Sequence, residues 1–226
     1  MEYNDEENLG IIHNILERKN YIVRKSVKLS KQSHILASNI DLLVMVITIK
    51  DPITTTSFID RFLVNAEAYS IETLLVFNKY DIYDKEEQNK IDNLVEIYSN
   101  IGYKCLLTST INNFNISKLK EEVTKKTIMF GGHSGVGKTS LINAIDASLE
   151  LKVGDISSQH LQGKHTTTYA ELFDLDSNTK LIDTPGIKGF GLVNFKKEEI
   201  SDFFPEFFRE KNKCKFSNCL HLNEPN

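Results

Sequence analysis

Apolar residues in this chain alternate between short continuous runs and stretches with helical spacing. The runs are typical of buried strands, because turn-forming and polar residues bound them. We predict strands at Leu42–Ile49, Thr73–Phe77, Lys104–Leu107, Thr127–Phe130, Tyr169–Leu175 and Thr179–Ile182. Apolar residues at helical spacing predict helices around 58–69, 91–98 and 116–123, the second ending before Gly102. This alternation predicts a doubly wound α/β domain.

One loop between a predicted strand and a predicted helix has the pattern G-x-x-x-x-G-K-[ST]. In that context the glycines let successive backbone N–H groups turn toward a phosphate, and the helix N-terminus adds partial positive charge. Lys138 can reach the β- and γ-phosphates, and Thr139 can ligate Mg²⁺. The alternative is a glycine-rich turn without a ligand. We predict a nucleoside triphosphate site at Gly132, His133, Ser134, Gly135, Val136, Gly137, Lys138, Thr139 and Ser140.

A second motif, N-K-x-D, ends the predicted strand Thr73–Phe77 and indicates guanine. The Asp81 carboxylate can accept hydrogen bonds from N1–H and the 2-amino group of guanine, whereas adenine offers no donor at either place. Asn78 would tie this loop to the phosphate loop, and the Lys79 stem would cover the base. Ser109, in a Thr-Ser-Thr loop after the next predicted strand, would support the base from behind. Taken alone, each segment is also compatible with a polar turn.

The D-x-x-G motif Asp183–Gly186 follows the last predicted strand. In such motifs the aspartate holds Mg²⁺ through water, and the amide of the glycine, here Gly186, senses the γ-phosphate. A Pro-Gly turn is the alternative. One threonine of 166–168 should complete the Mg²⁺ shell, and Thr167 is our preference. The other two are compatible with the start of a strand.

The order of these motifs differs from that of ordinary guanine-nucleotide switches, in which the phosphate loop comes first. Here the base reader at 78 and the base support at 109 precede the phosphate loop at 132, the threonines at 166 and the D-x-x-G at 183. The order predicts a circularly permuted domain. With the sequences at 132–140, 165–168 and 183–192 and a following cysteine–histidine cluster, it resembles the RsgA/YjeQ family of ribosome small-subunit-dependent GTPases over essentially the whole chain.

The resemblance implies an OB-fold barrel, a circularly permuted P-loop GTPase domain and a zinc-binding helical domain, acting in late maturation of the small ribosomal subunit. We assign residues 1–32 to partial OB-fold strands, 33–195 to the GTPase domain and 196–226 to a truncated zinc-binding segment. In the first unit we expect a hairpin in which Leu9–Leu16 and Tyr21–Arg24 flank a turn. Such a remnant would be marginally stable, so we expect flanking residues to be missing at this end, and we expect the same at the other end because the family's zinc ligand set is incomplete here.

Cys214, Cys219 and His221 are residue types that ligate zinc, at a plausible spacing. The family pattern implies a fourth ligand, a cysteine, beyond Asn226. Structural zinc sites normally use four protein ligands, so we expect weak or no Zn²⁺ binding by the chain as given. Two unrelated surface cysteines and a histidine are the alternative.

Ile187 follows the D-x-x-G motif, where many GTPases place the glutamine that orients the attacking water. An apolar side chain cannot orient water. His165, beside the threonines, is the nearest polar candidate in sequence, and the resemblance implies the same position. A histidine that only packs or caps is the alternative. Such an enzyme should be slow alone and faster when a partner orders the loop.

Composition adds bounds on partners and location. A net charge of -4 argues against a general nucleic-acid binder. The longest apolar run, 40–49, is far short of the ~20 residues of a membrane span, so we expect no membrane partner. The absence of a leader and the three cysteines, two beside a histidine, indicate a reducing cytoplasm.

Two local features were considered as possible RNA contacts. A basic stretch could neutralise rRNA phosphates or be a solvated face; it contains Arg18, Lys19, Arg24, Lys25, Lys28 and Lys31. The aromatic segment Phe203–Phe208 favours helix packing on the GTPase domain over stacking on RNA.

These observations predict a monomeric GTP hydrolase that binds GTP and GDP with Mg²⁺ and acts as a late checkpoint on the small ribosomal subunit, which stimulates hydrolysis. The alternative is a GTP-dependent RNA- or ribosome-binding switch with negligible hydrolysis. An ATP-using kinase is disfavoured by Asp81.

Overall fold

The computed structural model describes residues 2–4, 9–25, 33–146, 171–175, 178–183, 195–211 and 213–215. Its strands are β1 (Glu2–Asn4), β2 (Leu9–Ile11), β3 (Tyr21–Lys25), β4 (Ser33–Ser38), β5 (Leu42–Ile47), β6 (Thr73–Phe77), β7 (Lys104–Leu107), β8 (Thr127–Gly131), β9 (Glu171–Asp174) and β10 (Lys180–Asp183). Its α-helices are α1 (Thr56–Ala68), α2 (Lys85–Ile101), α3 (Ile116–Val123), α4 (Lys138–Ile145) and α5 (Pro205–Lys211). Two 3₁₀ segments lie at Tyr80–Ile82 and Lys197–Phe203.

The central sheet has six strands in the order β7-β6-β5-β8-β10-β9. All neighbours are parallel except β9, which runs antiparallel to β10. Helices α1 and α2 bury apolar residues on one face, and α3 and α4 on the other. Every residue of β5 and β6 is buried, as expected for parallel strands covered on both faces. The predicted doubly wound α/β architecture is confirmed.

Most predicted element bounds agree with the structure. Strands β6 and β7 have the predicted ends, and α2 stops before Gly102, which has φ 121°. Helix α2 begins with a capping box between Asp84 and Glu87, which satisfies amide groups at its start. Strand β5 ends at Ile47, earlier than predicted, because the Thr48 amide donates to Thr54 Oγ1 at 3.2 Å and the chain turns into a loop.

The predicted hairpin near the N-terminus is wrong. Leu9–Ile11 pairs with Glu2–Asn4, and Tyr21–Lys25 pairs with Ser33–Ser38. Asn20, expected in the turn, is instead buried: its side chain donates to Ile40 O and accepts from Ile40 N, both at 2.8 Å. The two side-chain bonds hold the chain beside Ile40, so it continues into β3 without turning back on Leu9–Leu16.

The C-terminal aromatic segment packs as predicted in its first half. The ring of Phe203 lies edge-on to Phe195, with centroids 4.9 Å apart, and Phe195 lies edge-on to Tyr69 at the end of α1. Phe207 and Phe208 are exposed. No helix in the described part of the chain is long and apolar enough to cross a membrane.

Candidate nucleotide site

The sequence motifs of the described residues lie at one edge of the central sheet. Asn78, Thr108 and Gly132 directly follow the last residues of the parallel strands β6, β7 and β8. In doubly wound sheets, ligands bind at the carboxyl ends of the strands. The structure therefore brings the predicted phosphate loop, the N-K-x-D loop and the Thr-Ser-Thr loop together.

The phosphate loop runs from the end of β8 to the start of α4. Gly132, Gly135 and Gly137 have φ values of 134°, 86° and 96°, a region that side chains disfavour. A Cβ atom on Gly132 would also collide with the Val46 carbonyl oxygen. Val136 is fully buried and anchors the loop in the core. Because α4 begins at Lys138, its first amide groups face the loop, the geometry that binds anions.

Two side chains of this loop have defined partners. The Lys138 ammonium donates to Gly132 O at 2.8 Å and to His133 O at 2.6 Å, so it lies over the loop. The His133 ring stacks on Phe58 of α1, with centroids 4.0 Å apart. Burial and the nearby Lys138 charge hold the pKa of His133 below its ordinary value, which favours the neutral ring. Thr139 is buried at the second position of α4.

Asn78 joins the base-side loop to the phosphate loop. Its Nδ2 donates to Val136 O at 2.9 Å, and its Oδ1 accepts from Thr108 Oγ1 at 3.0 Å. Both Asn78 and Thr108 are buried, so these bonds are shielded from water. The predicted contact between the two loops is confirmed.

Asp81 is exposed at the mouth of the site, and Ser109 holds it. The buried Ser109 hydroxyl donates to Asp81 Oδ1, and the same hydroxyl accepts from the Ile111 amide at 3.2 Å. Lys79 has a positive φ of 63°, and its ammonium donates to Asp51 O. The ring of Tyr80 stacks on that of Phe114, with the ring centroids 5.6 Å apart. The carboxylate is thus oriented from behind and accessible from outside.

Sequence reasoning missed the loop 48–55, which follows β5 at the same edge of the sheet. The backbone carbonyl of its Asp51 accepts from the Lys79 ammonium, and Pro52 lies next to Gly135 of the phosphate loop. Nothing in its sequence matches a nucleotide motif. The available signal was its position after a buried parallel strand, where such sheets place ligand loops.

Several predicted site residues lie outside the described part of the chain: His165, Thr167, Gly186, Cys219 and His221. Of Asp183, the structure describes the backbone, which ends β10 beside β8 at the nucleotide edge. Of the basic stretch, Lys19 bonds Asp41 at 2.9 Å. Cys214 is described, and no group of three or more His, Cys, Asp or Glu side chains suited to a metal occurs among the described residues.

Gly137 lies against the Asn78 side chain where the phosphate loop meets the N-K-x-D loop. A Cβ atom there would collide with Asn78 Nδ2, and φ is positive. We expect Gly137→Ala to lower affinity for GDP roughly tenfold or more, because both loops must shift. Titration with a fluorescent GDP measures this. Gly102→Ala is the matched control, since Gly102 also has a positive φ but lies at the C-terminal end of α2, where a Cβ atom would make an ordinary contact with the Arg209 side chain at 3.9 Å. An unchanged GDP affinity in Gly137→Ala would contradict the prediction.

A doubly wound sheet with a phosphate loop and an N-K-x-D loop at one edge, in permuted chain order, defines a circularly permuted P-loop GTPase. Residues 15–193 match the model of the RsgA GTPase family. The chain belongs to that family.

Curated relatives and solved structures support the same family assignment. The chain is 55% identical over 225 residues to the small ribosomal subunit biogenesis GTPase RsgA of Christiangramia forsetii, covering 100% of this chain and 71% of that protein. It is 58% identical over 216 residues to the RsgA of Flavobacterium johnsoniae, covering 96% and 66%. The crystal structure of YjeQ from Thermotoga maritima matches with a TM-score of 0.78 and 36% identity, covering 99% of this chain and 71% of that chain.

A second solved structure, YloQ, is described as a circularly permuted GTPase. It matches with a TM-score of 0.69 and 30% identity, covering 94% of this chain and 64% of that chain. The predicted family and the predicted permutation are both confirmed.

Proposed function

We propose that this protein hydrolyses GTP and acts in the biogenesis of the small ribosomal subunit. The observation that carries the proposal is the bond from Asn78 to Val136, which joins a guanine-type loop to a phosphate loop in a member of the RsgA GTPase family. Its relatives bear the name small ribosomal subunit biogenesis GTPase. The chain spans 71% and 66% of two of them, so the role of the whole protein is part of the proposal.

In this proposal each loop has one task. The amides of Gly132–Ser140 and the Lys138 ammonium hold the phosphates, while Asp81, supported by Ser109, selects guanine. Asn78 couples the two halves of the site, and the Lys79 stem covers the base.

Members of the RsgA GTPase family are expected to use Mg²⁺. The donors proposed for it are oxygen atoms, from Thr139, Thr167 and Asp183, and oxygen ligands are those that Mg²⁺ prefers. Thr139 and the backbone of Asp183 both lie at the nucleotide edge, which fits this assignment. When bound, Mg²⁺ would neutralise charge on the β- and γ-phosphates. The amide of Gly186 would sense the γ-phosphate.

We assign orientation of the attacking water to His165, because Ile187 cannot hold it. His165→Ala is then expected to lower kcat about a hundredfold under stimulated conditions and to leave GTP affinity within about twofold, since the histidine would act on the water and not on bound GTP. Stimulated turnover and GTP titration measure the two effects. If the His165→Ala enzyme keeps the parental kcat, another group must orient the attacking water.

We further propose that the subunit raises hydrolysis and that GTP hydrolysis acts as a late checkpoint on its maturation. The basic stretch near Lys19 would contact rRNA phosphates. Cytoplasmic location and a monomeric state remain predictions of the sequence, and so does a zinc site in which Cys214, Cys219 and His221 act together with a fourth ligand, the chain as given binding Zn²⁺ weakly or not at all.

The test compares GTP turnover with small subunits, with large subunits and without ribosomes, in a chain extended to the full length of its relatives. We expect acceleration by small subunits alone and GTP-dependent co-sedimentation that weakens with salt, because phosphate neutralisation releases counterions. GTP-dependent co-sedimentation without turnover would favour the binding switch with negligible hydrolysis. Equal rates in all three arms, with no co-sedimentation, would contradict the ribosomal role.

A further inference from the structure

Tyr83 is a buried tyrosine at the junction between the N-K-x-D loop and α2. Its hydroxyl donates to Asn78 O at 2.9 Å and accepts from the Ile49 amide at 3.3 Å. The ring packs in the core beneath α1 and α2. One hydroxyl therefore bonds the base-side loop and the loop 48–55 at the same time.

The bond to Asn78 completes the fixation of that residue. The Asn78 amide donates to Ile47 O at 2.8 Å, Nδ2 donates to Val136 O, and Oδ1 accepts from Thr108. The backbone carbonyl remains, and Tyr83 binds it. That carbonyl belongs to the peptide unit that leads into Lys79, where the chain takes a positive φ before reaching Asp81. Its orientation therefore sets where the Asp81 carboxylate lies.

The bond to Ile49 extends the connection toward the phosphates. Ile49 precedes Asp51, which accepts from Lys79, and Pro52, which lies beside Gly135. Because Tyr83 and Lys79 both bond the loop 48–55, the base-side loop cannot move independently of it. Burial raises the pKa of Tyr83 to about 12, so the hydroxyl stays protonated and remains a donor near neutral pH.

We propose that Tyr83 is a positioning residue for guanine selectivity, acting through Asn78 and Asp81, an inference that rests on the proposed guanine site. Of these two side-chain links to the loop 48–55, the one made by the Tyr83 hydroxyl lies in the buried interior, whereas the Lys79 bond is exposed. Removing the Tyr83 hydroxyl leaves the buried Asn78 carbonyl and the part-buried Ile49 amide without this partner, and both segments gain freedom that the base must then restrict.

The experiment uses Tyr83→Phe, which deletes the hydroxyl and keeps the ring. Tyr98→Phe is the matched control, because Tyr98 is buried like Tyr83 and its hydroxyl donates to Asp60 Oδ1 at 2.8 Å, on α1 rather than on a nucleotide loop. Affinities are measured for GDP, inosine diphosphate, ADP and inorganic triphosphate, and Tm is recorded for each protein.

For Tyr83→Phe we expect GDP affinity to fall about three- to tenfold. The preference for GDP over inosine diphosphate, which lacks the 2-amino group, should also shrink, with inorganic triphosphate affinity unchanged. Tyr98→Phe should lower Tm without changing the GDP preference. Parental GDP and inosine diphosphate affinities in Tyr83→Phe, or an equal loss for inorganic triphosphate, would overturn the inference. A parent protein that binds ADP as well as GDP would overturn the guanine assignment itself and this inference with it.

Discussion

Replacing Lys138 with alanine is expected to weaken GTP binding by roughly a hundredfold or more, to the point where turnover is lost at accessible concentrations. The ammonium lies over the phosphate loop, bonded to the carbonyl oxygens of Gly132 and His133. It is therefore placed to move onto a phosphate group without a change in the backbone. Removing it deletes a positive charge at the site where the β- and γ-phosphates would lie.

Equilibrium titration with a fluorescent GTP analogue measures the loss, with Mg²⁺ held constant. Lys180→Ala is the matched control, because it removes the same charge from β10 at the opposite end of the sheet, where Lys180 bonds Asp174. We expect the control to bind as the parent does. A Lys138→Ala protein with more than about a tenth of parental affinity would show that backbone amides alone hold the phosphates.

The second large effect is expected from Asp81→Asn, which should convert the site from guanine to xanthine. An asparagine amide cannot accept from both N1–H and the 2-amino group, but its NH₂ can donate to the 2-oxo group of xanthine and its carbonyl can accept from N1–H. We expect GTP affinity to fall roughly a hundredfold or more and xanthosine triphosphate affinity to rise by a similar factor. Ser109 can still donate to the amide oxygen, so the loop should keep its shape.

Competition between the two triphosphates measures the exchange in one titration. Asp92→Asn, at an exposed position on α2, is the control for the loss of one negative charge. If Asp81→Asn lowers the affinities for GTP and for xanthosine triphosphate by the same factor, the carboxylate supports the loop and does not select the base. If neither affinity changes, another residue selects guanine.

Local patterns were sufficient to predict the six strands of the central sheet and the helices α1, α2 and α3, but not β4 (Ser33–Ser38). Runs such as Thr73–Phe77 and Lys104–Leu107 predict strands because a buried parallel strand must be apolar on both faces. Gly102 marks the end of α2 because it takes a φ that other residues disfavour. The hairpin near the N-terminus was predicted wrongly, since an apolar run beside a polar turn does not identify its pairing partner. Asn20 instead bonds Ile40, and that bond depends on a distant segment.

The sequence alone determined the chemistry of the nucleotide loops and their permuted order, because each motif is a short contiguous stretch whose side chains and glycines act within a few residues. Tertiary structure decided which loops share the site and what supports them. Asn78 and Val136 are 58 residues apart, and Tyr83 and Ile49 are 34 apart. Such bonds exist because the parallel strands end at one edge of the sheet, an arrangement that depends on the packing of the whole domain.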